Sequence, residues 1–259
     1  MMNLDKCFLK KYNDLMNEDV KLALEFSINA LNESNNADFY AYIADCYMSL
    51  DEFNEAINVL KKGLDNNCTN SIYTKSLLGE SLFYLNNFKE SKAIFEDLAI
   101  ENPNSFFVIA YLIDININLK NYKEAIILGE NVLKANVLND NDTAYILTNL
   151  GWIKLKYLNE KSKSLKYFNE ALKLDESLGN AYIGLAEYYF SIENYNEALI
   201  NYEHAIDLNE ATIDVYFGIA MCYKELKQYD DALTYLYIAH DADNKNETYI
   251  KEISEIEKL

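Results

Sequence analysis

Residues 181–208 read AYIGLAEYYFSIENYNEALINYEHAIDL. Two helix-forming stretches lie in it, AYIGLAEYYF (181–190) and NEALINYEHAIDL (196–208). In both, apolar residues recur at steps of three and four, the periodicity of an amphipathic helix. Ala186 in the first and Ala198 in the second stand twelve residues apart. Two antiparallel helices approach closely only where no bulky side chain stands between their axes, and a larger residue there overpacks the crossing by roughly 1–3 kcal/mol. The stretch therefore predicts a helical hairpin closed by a short turn.

The hairpin recurs along the chain. Its second half is matched by FNEAINVLKKGL (53–64), FKESKAIFEDLA (88–99), YKEAIILGENVL (122–133) and YDDALTYLYIAH (229–240), and less well at its start by KSLKYFNEALKL (163–174). The small residues of the series are Ala56, Ser91, Ala125, Ser164, Ala198 and Ala232, with successive gaps of 35, 34, 39, 34 and 34. Twelve residues upstream of four of them stand Ala44, Gly79, Ala186 and Ala220, while Gly151 is thirteen before Ser164. A fixed period of this length is the mark of a stacked repeat architecture.

Period and residue order closely resemble the tetratricopeptide repeat. Its aromatic, large, small and aromatic positions are matched by Tyr182, Leu185, Ala186 and Tyr189, by Tyr40, Ile43, Ala44 and Tyr47, and by Tyr216, Ile219, Ala220 and Tyr223. The second helix opens on an aromatic residue and then Ala, as in Tyr195 with Ala198 and Tyr229 with Ala232. The proline that closes the family pattern survives only as Pro103. The resemblance covers about residues 37–246 and implies an all-α, right-handed superhelical α-solenoid of antiparallel helix pairs. Its six repeats are expected at 37–71, 72–105, 106–143, 144–178, 179–212 and 213–246. Residues 1–36 are expected to form a degenerate N-terminal repeat or cap, with helices within 4–16 and 18–33. Residues 247–259 are expected to form a capping helix, because stacked repeats leave an apolar face at each end. The whole is expected to be one continuous solenoid.

Three departures stand out. Ile113 occupies a position that is usually small, so the third repeat is expected to open. The fourth repeat lacks the aromatic start of its second helix and carries an extra residue, expected near Asn159–Lys163. NVLNDNDTA (136–144) adds about four residues between repeats and is the expected place for a bend.

Composition narrows the function. Half of the residues are hydrophobic, while Pro occurs once and Gly seven times, too few turn residues for a β-sandwich or barrel of this length. No apolar run of membrane-spanning length is present, and the N-terminal MMNLDKCFLKKYNDL has no apolar core of a secretory signal. Cys7, Cys46, Cys68 and Cys222 show neither metal-like nor disulfide-like spacing, so reduced structural thiols and a cytoplasmic location are expected. Formal net charge is −19, and all 23 basic residues are Lys. Nucleic-acid affinity draws heavily on basic side chains that neutralise phosphates, and anionic membrane surfaces likewise attract basic segments. Neither partner is expected.

No catalytic constellation stands out, and neither an enzyme, a cofactor nor a metal is expected. His204 and His240 lie on the second helices of successive repeats without convergent ligands. The glycines are single and build no phosphate loop. The family resemblance places positions two, five, nine and twelve of each repeat in a concave groove. It thereby selects an apolar and aromatic set, Met48, Tyr73, Phe83, Phe107, Ile117, Tyr145, Trp152, Leu155, Phe190, Phe217 and Met221. It also selects an acidic set, Asp38, Asp45, Glu80, Asp114, Glu187 and Asp214. Some of the aromatics are expected to pack as core between repeats. Trp152, where neighbouring repeats carry acids, is expected to be exposed as an interface anchor. Asp45, Glu80, Asp114 and Glu187 share one repeat position and are expected to form a row. Members of the family that clamp the carboxylate tail of heat-shock chaperones use Lys and Asn at positions five and nine. Here position five reads Ala41, Ser76, Ala110, Thr148, Ile183 and Phe217, and position nine is largely acidic, so that ligand is not expected. The expected function is a non-catalytic protein- or peptide-binding scaffold or adaptor, taking a basic, partly apolar segment. The alternative is a structural, self-associating solenoid or an arm of a larger assembly.

Overall fold

The structure is a computed structural model that describes residues 6–258. Among these residues there are fifteen α-helices and no strand. The helices are α1 (Lys6–Glu18), α2 (Val20–Ser34), α3 (Phe39–Ser49), α4 (Phe53–Asp65), α5 (Ser71–Tyr84), α6 (Phe88–Glu101), α7 (Phe106–Asn118) and α8 (Tyr122–Ala135). They continue as α9 (Asp140–Trp152), α10 (Lys161–Leu174), α11 (Gly179–Ser191), α12 (Tyr195–Asp207), α13 (Ile213–Glu225), α14 (Tyr229–Ala242) and α15 (Glu247–Ile256), with a π-helical turn at Ile153–Tyr157. Residues 4 and 5 of the expected first helix lie outside the described residues. The chain divides into two compact units, Met1–Leu128 and Gly129–Leu259, and the division falls inside α8, upstream of the insertion at 136–144.

The helix boundaries follow from local chemistry. Side chains of Asp19, Asn70, Asn139, Asn194, Thr212 and Asn246 accept hydrogen bonds from backbone N–H groups in the first turns of α2, α5, α9, α12, α13 and α15. These satisfy donors that a helix start leaves without an intrahelical partner. The turn within each repeat contains one residue at positive φ: Asp51, Asn86, Lys120, Asn159, Glu193 and Lys227. None is glycine, although a Cβ disfavours this backbone region.

The turns also locate the irregularity of the fourth repeat. Each left-handed residue precedes its small second-helix residue by five, as Glu193 precedes Ala198 and Asn159 precedes Ser164. The first-helix small residue precedes the turn by seven in the pairs Ala44–Asp51, Gly79–Asn86, Ala186–Glu193 and Ala220–Lys227, but by eight in Gly151–Asn159. The extra residue therefore lies before the turn. It is absorbed in the π-helical turn, where Leu158 N–H reaches Ile153 O at 3.2 Å. The expected site at Asn159–Lys163 is corrected to Ile153–Tyr157, because a widened helical turn takes up one residue without disturbing the loop after it.

Packing shows why the crossing residues are small. Ser91 Oγ donates to Gly79 O across the α5–α6 crossing at 2.7 Å. The same Gly79 makes room for the fully buried ring of Phe95 in α6, 2.8 Å from where a Cβ would stand. In the second unit the Phe168 ring of α10 is fully buried over both Gly151 of α9 and Gly184 of α11. Tyr202 of α12 likewise fills the space over Gly218 of α13. Each ring thus occupies the volume that a first-helix side chain would need.

The first and last described helices each pack on their neighbours. Phe8 and Tyr12 of α1 bury against Ala23, Phe39 and Cys46, with the Phe8 ring edge-on to Phe39 at 4.7 Å. At the other end α15 lays Ile253 and Ile256 on Ala220, Ala232 and Leu236, while Lys224 ion-pairs with Glu252 and Glu255. Ile113 is fully buried on α7.

Candidate functional site

Two clefts lie on positions where the first helices of the repeats present their side chains. The larger, in the second unit, is about 770 Å³. It is built by the end of α9, the π-helical turn, α11 and the start of α13, and collects Trp152, Leu155, Glu187, Asp214 and Phe217 together with Lys156, Lys161, Asn180, Ile183, Glu210 and Thr212. Trp152 is half-buried rather than exposed, because its ring meets Phe168 edge-to-face at 5.7 Å and its Nε1–H donates to Asn180 Oδ1 at 3.2 Å. Tyr202, almost wholly buried, donates its hydroxyl to Glu187 Oε1 at 2.8 Å. Lys161 Nζ donates to Ser191 O at 2.7 Å, tying the start of α10 to the end of α11.

The smaller cleft, in the first unit, is about 430 Å³ and joins Asp45 and Met48 of α3 with Leu77, Glu80 and Tyr84 of α5, beside Asp51 and Phe53. Phe53 and Tyr84 stack at 5.0 Å. Asp45 Oδ2 accepts from Tyr12 at 2.7 Å. Burial pushes the Glu80 carboxyl above the usual carboxylate range; a hydrogen bond from Tyr111 opposes this, and the charge of Asp45 adds to it. Three of the acids at the shared repeat position, Asp45, Glu80 and Glu187, therefore each accept a tyrosine hydroxyl.

The remaining expected groove residues have other surroundings. Asp38 is buried and accepts from Thr69 N, Thr69 Oγ1 and Asn70 N at 2.6, 2.5 and 3.2 Å, so it fastens the turn before α5 and does not face a groove. Asp114 is half-buried on α7, outside the smaller cleft. Tyr73 packs on the core around Leu77 and Leu78, as does Met48 behind the smaller cleft, Phe83 on that around Phe95, and Phe190 on that around Tyr202. Phe107 is exposed, with its ring 4.9 Å from Tyr111. Ile117, Tyr145 and Met221 are half-buried.

Several cleft residues were absent from the sequence reading. Asn180 stands at position two of its repeat, but its amide is neither apolar nor acidic and so fell outside both sets. Lys156 reaches the larger cleft from the π-helical turn, a feature that a regular period hides.

Among the described residues no group of three or more His, Cys, Asp or Glu is placed to hold a metal. His204 lies beside the Tyr182 ring. Cys46, Cys68 and Cys222 are buried and free, and burial pushes the Cys46 and Cys222 thiols up to about 11 and about 12, which suppresses the reactive thiolate. Among the described residues no helix is long and apolar enough to cross a membrane.

Comparison with known proteins agrees with this architecture. A family model described as tetratricopeptide repeat matches residues 37–67, 144–178 and 179–212, and a second of the same description matches 214–238. No curated protein matches the sequence. Among solved structures, a tetratricopeptide repeat protein from Parabacteroides merdae ATCC 43184 is 16% identical, covers 96% of this chain and 97% of its own, and superposes with a TM-score of 0.75. PilF of Pseudomonas aeruginosa is 15% identical over 85% of this chain and 97% of its own, with a TM-score of 0.68. YrrB, described as a TPR protein with an unusual peptide-binding site, is 17% identical over 77% of this chain and 98% of its own, with a TM-score of 0.51. At these identities the likeness is one of fold.

Proposed function

Because the chain belongs to the tetratricopeptide repeat family, we propose that it is a non-catalytic scaffold that binds a basic, partly apolar segment of another protein through the groove-facing positions of its first helices. The observation that carries this is the first-unit cleft. Asp45, Asp51 and Glu80 line it with Met48, Leu77 and the stacked Phe53 and Tyr84, and no lysine lines it. A partner's Lys or Arg would lay its aliphatic stem on the apolar residues and bring its charge to the carboxylates and ring faces. The fold is also that of YrrB, a protein described as having a peptide-binding site. Of the acids expected in the groove, Asp38 drops out of the binding set, since it is buried in a turn. An acidic chain without arginine disfavours nucleic acid and anionic membranes, and the chaperone-tail clamp residues are missing; the location proposed is the cytoplasm.

The test is capture of partners from native extract by the full chain and by a variant with Asp45, Glu80 and Asp114 all replaced by Lys. Weaker capture by the variant, and weaker capture by the parent at high salt, are the expected results, since exposed charges are screened over about 8 Å at physiological ionic strength. Identical capture by a folded variant, without salt dependence in the parent, would remove the acids from the mechanism.

A further inference from the structure

The second-unit cleft differs in kind from the first. One wall carries Lys156 from the π-helical turn and Lys161 from the start of α10; the other carries Glu187, Glu210 and Asp214. Trp152 of α9, Ile183 of α11 and Phe217 of α13 line the same cleft. Charges of both signs thus share one cavity of about 770 Å³, yet among the described residues none of the five forms an ion pair. Three of the five have other contacts within the chain. Lys161 is tied to the Ser191 carbonyl and Glu187 to the Tyr202 hydroxyl. The aliphatic stem of Glu210 lies over Gly179, in space that any Cβ there would contest.

We propose that this cleft is a bipolar docking site for a segment of another protein in which an aromatic or large aliphatic side chain stands between an acidic and a basic residue. The acidic residue sits against Lys156 and Lys161, the basic one against Glu210 and Asp214, and the apolar one on Trp152 and Phe217. The proposal rests on the scaffold reading and adds a separate specificity and a fixed orientation for the bound segment. A uniformly basic segment meets repulsion at Lys156, and a uniformly acidic one at Asp214, so only a ligand carrying both signs complements both walls. The volume suits a few side chains rather than a single ion, and Asn180 and Thr212 on the walls offer neutral polar groups to a peptide backbone. The π-helical turn is what brings Lys156 there. The one-residue excess ahead of Asn159 thereby acquires a binding role beyond its accommodation in the fold.

The test is selection of a displayed library of random heptapeptides on the full chain and on the Lys156→Glu, Asp214→Lys and Trp152→Ala variants. Folding of each variant is checked by helical circular dichroism, and the enriched peptides are then dye-labelled and titrated. Selection on the parent is expected to enrich segments carrying an acidic and a basic residue on either side of an apolar one. Lys156→Glu should weaken such a peptide by about two- to fivefold, the range of an exposed ion pair, and shift selection away from the acidic residue. Asp214→Lys should shift selection away from the basic residue instead. Trp152→Ala should weaken binding roughly thirtyfold, as for an interface anchor. Enrichment of basic segments alone, insensitive to Lys156→Glu, would overturn the bipolar site and leave the scaffold reading standing. Retention of no peptide by the folded parent would overturn both. A dimer that Trp152→Ala dissociates would make a second copy of the chain the occupant and overturn the proposal.

Discussion

Tyr202 is almost entirely buried, yet its hydroxyl donates to Glu187 at 2.8 Å, on the wall of the second-unit cleft. A core side chain thus holds a groove carboxylate in place, and the same ring fills the space over Gly218. Tyr202→Phe keeps the ring and removes the bond. The expected loss is about 1.5 kcal/mol, the lower end for a hydrogen bond to a charged group, since Glu187 is half-exposed and water replaces part of the contact. The urea midpoint of the variant against the parent measures it; an unchanged midpoint would mean that the hydroxyl contributes nothing net.

Burial raises the phenols of Tyr12, Tyr73, Tyr111 and Tyr202 above their ordinary value, and neighbouring carboxylates raise them further. The neutral form is thereby favoured in the folded chain. The associated stability is fully present below the unfolded value of about 10 and is lost as pH rises beyond it, where only the unfolded chain ionises freely. Of the 22 tyrosines, these four should stay silent in an alkaline absorbance titration until helical signal is lost. Complete phenolate formation with the helices intact would contradict the assignment.

Gly184→Ala places a methyl group against the ring of Phe168, which is fully buried and also covers Gly151. The same ring atoms, Cε1, Cδ1 and Cζ, lie within 3.0 Å of the Cβ position at both glycines, so the added methyl meets them directly. The expected cost is about 1–3 kcal/mol by overpacking. Because repeat arrays are held by nearest-neighbour contacts, segment-resolved hydrogen exchange should show the loss concentrated in α9–α12.

Lys227 holds a left-handed backbone at φ 60 in the turn between α13 and α14. A Cβ in that region costs roughly 1–2 kcal/mol, while glycine adds roughly 0.5–1 kcal/mol of chain entropy. Lys227→Gly should therefore raise stability by up to about 1.5 kcal/mol, read from the thermal midpoint. A fall would show that the lysine side chain contributes more than its backbone costs.

The helical repeat was legible because its small residues answer a steric demand that spacing records directly: Ser91 meets Gly79 twelve residues away, as the crossing requires. The contents of the clefts were only partly legible. Repeat position places Glu187, Asp214 and Phe217 on a common surface, and the structure gathers them into one cleft. Asp38 shares a repeat position with Asp214, but Thr69 and Asn70, at the far end of the same repeat, draw its carboxylate inward. Such a tertiary partner leaves no trace in a period. Lys156 escaped for another reason. A sequence shows that one residue is extra but not which turn widens to hold it, and the widened turn decides where the lysine stands.

Trp152 is the chain's only tryptophan, and it lines the larger cleft with its indole N–H on Asn180. Excited at the long-wavelength edge where tyrosine does not absorb, ultraviolet emission therefore comes from one place in the molecule. Water meets one part of the indole while Phe168 shields another, so colour and quenching will change when that water is displaced. The protein carries its own optical gauge of occupancy, readable in unlabelled solution and blind to events in the first unit's cleft.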